Sequence, residues 1–491
     1  MEPATAFRQP PSRAEQEAEG PNPRRWLTLA ILCIGAFVAV MDVFLANVAA
    51  PAIGADLHAS AAEVQLVVAA YGLSYAATLI TGGRLGDLYG RRRMFAIGMV
   101  AFVVTSVAGA LAPSAPVLIG WRVAQGIAAG LLFPQVLSSI QVLFEGRERR
   151  QAMGRFGAAL GLASTLGQLV GGVLLEADLF GWGWRTLFLA KLPLCALALA
   201  LLPRAVETRS TRGQHVDLLG VVLVSIGLVA LVFPLVVGRQ AGWPPWSFAC
   251  LAAAALVLAA FAAWQRRLAR RGGDPLVDLR LFGERGFSAG LGVALAFFGS
   301  QVSFFFVLTV SLQSGLGASP LAAGLTFAPT GIAFLLASLA AVPLTERHGR
   351  RSLAAGAAIM AVSFAGMWVE ATALGGRLGP WDLVPWLALN GVGAGLMVTP
   401  LMGVVLARVP RPQMGAASGL LTTGQQVANA SGIALIGLVF YGLLGSGGAE
   451  AYAHAFAGSM LYLIALMAAS IALTFLLPGR APAPGTIGRG R

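Results

Sequence analysis

Long apolar segments recur along the whole chain, and each is long enough to cross a lipid bilayer as a helix. The hydrocarbon core of a bilayer is about 30 Å thick, which a helix of roughly 20 apolar residues spans. The first segment, Trp26 to Ala50, is followed by thirteen others, at 62–83, 94–112, 116–142, 152–175, 184–202, 217–238, 247–265, 286–311, 320–342, 352–372, 382–406, 414–438 and 454–477. The pattern therefore predicts an all-α membrane protein with fourteen transmembrane helices.

The loops between these segments differ in charge, which predicts how the chain is oriented. Arginine is concentrated in alternate loops, at 84–93, 147–150, 204–212, 266–285, 347–351 and 408–411. Positive residues are retained on the cytoplasmic side of a membrane, so these loops and both tails, a disordered 1–25 and 478–491, are predicted to be cytoplasmic. The expected location is the inner membrane of a bacterium, whose anionic lipids these arginines would face.

Composition supports a membrane protein and argues against a nucleic-acid-binding protein and against a protein built on disulfides or a metal site. Hydrophobic residues make up 57% of the chain and charged residues 11%, against about 25% charged in soluble domains. The net charge of +13 does not indicate a nucleic-acid partner, because the arginines lie in the loops of one predicted face. Cys33, Cys195 and Cys250 lie inside apolar segments, so neither a disulfide framework nor a metal site is expected.

One acid, Asp42, lies inside the first apolar segment. A carboxylate there costs about 2.5–3.5 kcal/mol on insertion scales, so it marks a functional site by default. At 1.5 Å per residue, Asp42 lies about 22 Å from the inner end of its helix, which leaves it about 8 Å from the outer boundary of a core about 30 Å thick. Arg122 and Lys191, counted from the outer ends of their helices, lie about 8 and 10 Å below the same boundary. The three charges are expected in one layer, where Arg122 holds Asp42 ionised until a proton or a substrate competes. The alternatives are that Arg122 and Lys191 extend to the membrane surface, or that Lys191 is structural.

An internal repeat divides the segments into two sets. The sequence LGDLYGRR at 85–92 is echoed as LTERHGRR at 344–351, and by the same offset Asp42 has a neutral counterpart in Gln301. Two related halves are a feature of transporters. The predicted arrangement is a six-helix bundle at 26–203, a linker with two inserted helices at 204–285, and a second six-helix bundle at 286–477.

Four stretches carry a more specific resemblance. GGRLGDLYGRRRMF (82–95) is similar to the loop signature of the major facilitator superfamily, and GWRVAQGIAAG (120–130) to its helix-four motif. GLASTLGQLVGGVL (161–174) resembles the helix-five motif associated with antiporters, and MDVFLANVAAPAI (41–53) the first-helix motif of the fourteen-helix drug:proton antiporter branch. Two positions in these stretches depart from the patterns, because Leu88 replaces a basic residue and Gln168 a Pro. A fifth stretch, WRTLFLAKLPL (184–194), resembles the helix-six entrance of the same branch, but Lys191 replaces an Asn there.

The resemblance implies the major facilitator fold and roles for several groups of residues. Asp42 and Arg122 are the expected proton-coupling pair. A cytoplasmic latch, released when the transporter opens inward, would consist of Gly83, Asp87, Gly90, Arg91 and Arg92. A smooth face of the fifth helix would be formed by Gly161, Gly167, Gly171 and Gly172. Polar candidates for the substrate cavity are Asn47, Gln125, Lys191, Gln301, Asn390, Gln425 and Asn429. Gln425 and Asn429 alternatively serve only to join helices.

The predicted function is proton-driven export of hydrophobic or amphiphilic small molecules such as drugs or antibiotics. Uptake or facilitated diffusion of a small metabolite by the same fold is the alternative. A membrane enzyme is disfavoured, because the four histidines are scattered over loops and helix ends without metal-ligand spacing. They are His58, His215, His348 and His454. The expected partners are the substrate, protons and anionic lipids, with no cofactor beyond the proton gradient, and the protein is expected to be monomeric.

Overall fold

The fold is a bundle of membrane-length α-helices. The computed structural model describes residues 23–208, 217–238, 241–273, 275–277, 279–406, 414–445 and 447–477. The helices are α1 Arg25–Asp56, α2 Ala61–Tyr89, α3 Arg91–Ala110, α4 Ala115–Leu143, α5 Gly146–Ala177, α6 Arg185–Leu189 continued by Leu192–Leu201, α7 Leu218–Val237, α8 Pro245–Arg270, α9 Arg285–Val310, α10 Pro320–His348, α11 Arg350–Leu374, α12 Val384–Leu406, α13 Met414–Leu443 and α14 Ala449–Leu476.

The number of spans agrees with the prediction from hydropathy. Among the described residues, thirteen helices are long and apolar enough to cross a membrane, and α2, bent by 47° between Leu79 and Thr81, raises the number to fourteen. In a bilayer every backbone polar group has to be satisfied within the protein, which favours continuous helices. The fourteen-helix prediction is therefore confirmed.

Turn residues set the ends of several helices. Ser60 and Glu63 form a capping box at the start of α2, which satisfies backbone N–H groups that have no partner inside the helix. Gly90, with φ of 98°, separates α2 from α3, and Gly349, with φ of 58°, separates α10 from α11. Glycine accepts a positive φ without strain, and each of the two echoed loops turns at such a glycine.

Close packing through glycine repeats in the two halves. On α4, a Cβ at Gly126 would lie 2.3 Å from the carbonyl oxygen of Tyr71 on α2. On α12, a Cβ at Gly391 would lie 2.1 Å from the carbonyl oxygen of Thr330 on α10. Small residues at such crossings allow two helix backbones to approach. The repeat seen in the sequence thus has a counterpart in packing.

The halves meet near the end of the bundle where α1 and α5 terminate, which we call the closed end. There a Cβ at Gly172 on α5 would lie 2.5 Å from the carbonyl oxygen of Pro320 on α10, and the Gln65 side chain of α2 lies against Gly437 of α13. Near the other, arginine-rich end, Gly154 of α5 faces open space within the described part of the chain. The contacts described here therefore join the halves at the closed end.

The inserted helices α7 and α8 pack together beside this seam. Val232 of α7 shares a buried apolar cluster with Ala62 of α2 and Ala430 of α13. The Asp217 carboxylate caps α7 by accepting from the Gly220 N–H at 2.9 Å. It also accepts from the Gln265 side chain of α8 at 2.7 Å, so one acid begins α7 and ties it to α8.

Candidate functional site: a buried charge cluster

Three charges from the apolar interior meet in one place. Asp42 on α1 forms ion pairs with Arg122 of α4 through one carboxylate oxygen and with Lys191 of α6 through the other. Asp42 is 1% exposed, and Arg122 and Lys191 are fully buried. The depths counted along three separate helices therefore correspond to one layer. We call Asp42, Arg122 and Lys191 the charge cluster.

A break in α6 places Lys191 in this cluster. The first segment ends at Leu189 and the second begins at Leu192. Pro193 has no N–H, and its ring excludes the carbonyl four residues earlier, which interrupts a helix. Lys191 lies in the interruption and is not a membrane-surface residue, so the interpretation that it extends to the surface is wrong.

Arg122 is held on several sides. Its Nε donates to the carbonyl oxygen of Val67 at 2.9 Å, and Nη1 also donates to Gln125 Oε1 at 2.6 Å. The guanidinium lies over the Tyr71 ring, 4.5 Å from its centroid, a geometry that favours a cation. A fully buried Arg122 with these partners does not extend to the membrane surface, so that alternative is also wrong.

Further contacts connect the cluster to neighbouring helices. The Gln125 side chain donates to Ser106 Oγ of α3 at 2.8 Å, and the Tyr71 hydroxyl donates to the Ala39 carbonyl of α1 at 2.9 Å. Gln125 and Lys191 were expected in the substrate cavity. The structure places both on the charge cluster, because each is turned toward Asp42 or its partner Arg122.

The cluster has more basic than acidic groups. Asp42 supplies one negative charge, while Arg122 and Lys191 supply two positive charges. Part of the excess positive charge is offset by aromatic faces, because Lys191 Nζ lies 5.2 Å from the ring centroid of Phe102 and 5.0 Å from that of Phe188. No pattern in the sequence marks these two rings, since an aromatic residue in an apolar helix is ordinarily a core residue.

The predicted latch residues form ion pairs and hydrogen bonds at the arginine-rich end of the first half. Asp87 and Arg91 form an ion pair at 2.7 Å, and Arg91 donates to the Ser138 carbonyl of α4 at 3.1 Å. Arg92 pairs with Glu207 at 3.7 Å. These described contacts stay within the first half. Gly83 faces α4 and Gly90 makes the turn between α2 and α3.

The four glycines of α5 occupy two faces, where one smooth face was expected. Gly161 packs against Phe334 of α10, and Gly172 also faces α10. Gly167 and Gly171 pack against α1. At 100° per residue, positions 161 and 172 share one side of a helix, and positions 167 and 171 share another. Helix α5 thus contacts α1 in its own half and α10 in the other half.

The five remaining polar candidates for the substrate cavity make no hydrogen bond to the charge cluster within the described part of the chain. Asn47 and Asn390 are fully buried, and within the described residues their side-chain amides have no hydrogen-bond partner. Gln301 and Gln425 are half-buried. Asn429 donates to Gln426 at 3.1 Å, one turn away on α13. The structure does not join these five into one contact network.

Comparison with known proteins identifies the family. The sequence profile described as the Major Facilitator Superfamily matches residues 32–300. The chain is 40% identical to a probable actinorhodin transporter of Streptomyces coelicolor over 87% of this chain and 75% of that one. It is 35% identical to a cephamycin export protein of Amycolatopsis lactamdurans over 94% of each chain, and 36% identical to a puromycin resistance protein of Streptomyces alboniger over 86% of this chain and 83% of that one.

Solved structures show the same fold at low sequence identity. A bacterial homologue of the human lysosomal transporter Spinster, in an inward-facing and unoccupied conformation, aligns with a TM-score of 0.65 and 17% identity over 93% of this chain and 97% of that one. A D-xylose-proton symporter aligns with a TM-score of 0.62 and 18% identity over 92% of this chain and 97% of that one. Together with the sequence matches, these findings show that the chain is a multi-pass membrane protein of the major facilitator superfamily.

Proposed function

We propose that this protein exports antibiotic-like small molecules across the bacterial inner membrane in exchange for protons. The relatives reported above are named for transport, export of or resistance to actinorhodin, cephamycin and puromycin. The observation that carries the coupling is the charge cluster. Ionisable residues inside membrane segments mark ion and proton pathways, and Asp42, Arg122 and Lys191 are fully or almost fully buried while lying on three different helices.

The arginine-rich end is taken as cytoplasmic, because positive loops are retained on that side. Both tails then lie in the cytoplasm, and the loop arginines contact anionic lipid headgroups. The contacts between halves at the closed end correspond to a transporter that receives its substrate from the cytoplasm. The protein acts as a monomer, a proposal supported by the charge cluster, whose three residues come from one chain.

The energetics of such an exchange are adequate with a single proton. One proton entering down 100 mV releases about 2.3 kcal/mol, and one pH unit adds about 1.4 kcal/mol. The sum of about 3.7 kcal/mol sustains a gradient of roughly 500-fold for a neutral compound. One titrating group in the charge cluster is sufficient.

Export can be tested with a panel of antibiotics in a bacterial host that lacks its own efflux pumps. Cells that contain the protein are expected to survive higher concentrations of at least one compound, and an uncoupler is expected to abolish the difference. Asp42→Asn should remove protection. Glu370→Gln is the matched control, because Glu370 lies near the end of α11 and outside the charge cluster. Protection that persists with the uncoupler would contradict proton coupling.

Uptake remains the second candidate, because Gln168 stands where the antiporter pattern has Pro. Its fully buried amide has no hydrogen-bond partner among the described residues. In inverted vesicles with an acidic interior, proton-driven export appears as accumulation of the compound inside the vesicles. Proton-driven uptake would instead appear as depletion of the compound from the vesicle interior. Puromycin is a suitable first compound, because one of the relatives is named for resistance to it.

A further inference from the structure

The two basic residues of the charge cluster do not have equivalent surroundings. Arg122 has a backbone carbonyl, an amide and an aromatic ring as uncharged partners. Lys191 has Asp42 as its polar partner and otherwise faces the rings of Phe102 and Phe188. We propose that Lys191, and not Asp42, is the group that releases and rebinds the transported proton. This proposal rests on the proton exchange inferred under Proposed function.

Charge balance carries the argument. With all three groups ionised, the cluster has a net charge of +1 in a site closed to solvent. Protonation of Asp42 would leave two buried cations beside a neutral acid. Loss of a proton from Lys191 leaves the Asp42–Arg122 ion pair, which is neutral. Because an uncompensated charge is costly in a buried site, the second change is favoured and the first is opposed.

Arg122 does not compete for this role. A guanidinium stays protonated in proteins, whereas a buried lysine amine exchanges its proton readily. The titratable groups that face Lys191 or its partners are Asp42 on α1, Tyr71 on α2, Arg122 on α4 and Cys195 on α6 itself. The residues of α3 at this site, Phe102 and Ser106, are not titratable in this range.

The proton balance of the step is simple. The Lys191 ammonium releases one proton to the arginine-rich side and becomes an amine, and the ion pair with one Asp42 oxygen is lost while Arg122 keeps the other. Contact between α6 and α1 at this depth then depends on the protonation of Lys191. On the opposite side of the membrane the amine takes up one proton and the ion pair forms again.

The chain offers a direct test, because Lys191 is its only lysine. Protein labelled with ¹⁵Nζ-lysine and reconstituted in liposomes gives one side-chain signal in solid-state NMR, and ammonium and amine nitrogens have distinct shifts. The signal is expected to convert from ammonium to amine between pH 5 and pH 9. A signal that remains ammonium over this whole interval would overturn the proposal.

A transport measurement provides the second test. Lys191→Arg keeps a cation beside Asp42 but removes a proton that can be released. Puromycin transport driven by a pH gradient in proteoliposomes is expected to fall at least 10-fold, while the protein still elutes as a folded species on size exclusion. Wild-type transport and wild-type proton flux in Lys191→Arg would overturn the proposal.

The two tests separate this proposal from the proposed function. If the wild-type protein moves puromycin with the proton gradient but Lys191 stays an ammonium, only the assignment of the proton carrier is wrong. If Lys191 converts to an amine but none of the antibiotics in the panel is moved by a pH gradient, the proposed function is wrong and Lys191 is still the titrating group.

Discussion

The two halves of the protein share a packing frame but differ in chemistry. Gly126 and Gly391 make equivalent close crossings, and Gly90 and Gly349, both with positive φ, lie in the turns of the two echoed loops. The first half carries a buried acid with two basic partners, whereas the second has Gln301 at the corresponding position of α9 and the uncharged Asn390 beside its glycine. The repeat therefore preserves the glycines that position the helices, while the buried acid and its two basic partners, as far as the structure describes the chain, lie in the first half.

The largest expected effect comes from removing the acid of the charged half. Asp42→Asn leaves Arg122 and Lys191 buried together without a counter-charge, and breaking a buried pair in this way costs about 3–5 kcal/mol. We expect a marked fall in the apparent unfolding temperature of the detergent-solubilised protein, together with loss of transport. Gln301→Asn, the matched change in the neutral half, is expected to have a small effect on stability. Equal destabilisation by both variants would contradict the comparison.

Removal of the surplus cation should have a smaller effect than removal of the acid. Lys191→Met keeps a similar side-chain volume and leaves the Asp42–Arg122 pair balanced. Its stability is expected to exceed that of Asp42→Asn by more than about 2 kcal/mol, because no uncompensated charge remains. The measurement is the apparent unfolding temperature of the two variants in the same detergent. If Lys191→Met were the less stable of the two, the cluster would not carry an excess of positive charge.

The shared packing frame predicts similar effects in the two halves. Gly126→Ala places a Cβ 2.3 Å from the Tyr71 carbonyl oxygen, and Gly391→Ala places one 2.1 Å from that of Thr330. Overpacking of this kind typically costs about 1–3 kcal/mol, so each variant should lower the apparent unfolding temperature by a comparable amount. Gly120→Ala is the control, because a Cβ there meets nothing within 4 Å among the described residues.

The sequence predicts the spans and the depth of the charges better than the contacts between helices. Hydropathy and a fixed rise per residue suffice for Asp42 and Arg122, since a bilayer constrains helix length and position. The direction of the Lys191 side chain depends on how α6 resumes after its break at Pro193, which periodicity does not specify. The substrate cavity likewise cannot be predicted from the sequence, because its lining depends on which amide side chains of several helices face one another.

The smallest expected effect on stability comes from a substitution in the loop between α2 and α3, whose sequence is echoed in the second half. This substitution tests transport separately from stability. The Asp87–Arg91 pair lies at a helix end where the Asp87 side chain is 25% exposed, and such pairs contribute about 0.2–1 kcal/mol. Asp87→Asn should therefore leave the unfolding temperature almost unchanged. The control is Glu148→Gln, which removes a more exposed ion pair, formed by Glu148 and Arg25 at 2.8 Å.

Transport should distinguish these two acids. The resemblance assigns Asp87 to a latch that forms when the arginine-rich end closes, whereas Glu148 joins α5 to α1 within one half. If the latch stabilises the alternate conformation by about 1.4 kcal/mol, its loss changes the ratio of the two conformations about 10-fold. Asp87→Asn is then expected to slow export at constant stability, while Glu148→Gln exports normally. Equal export rates in the two variants would assign Asp87 to the structure of the first half alone.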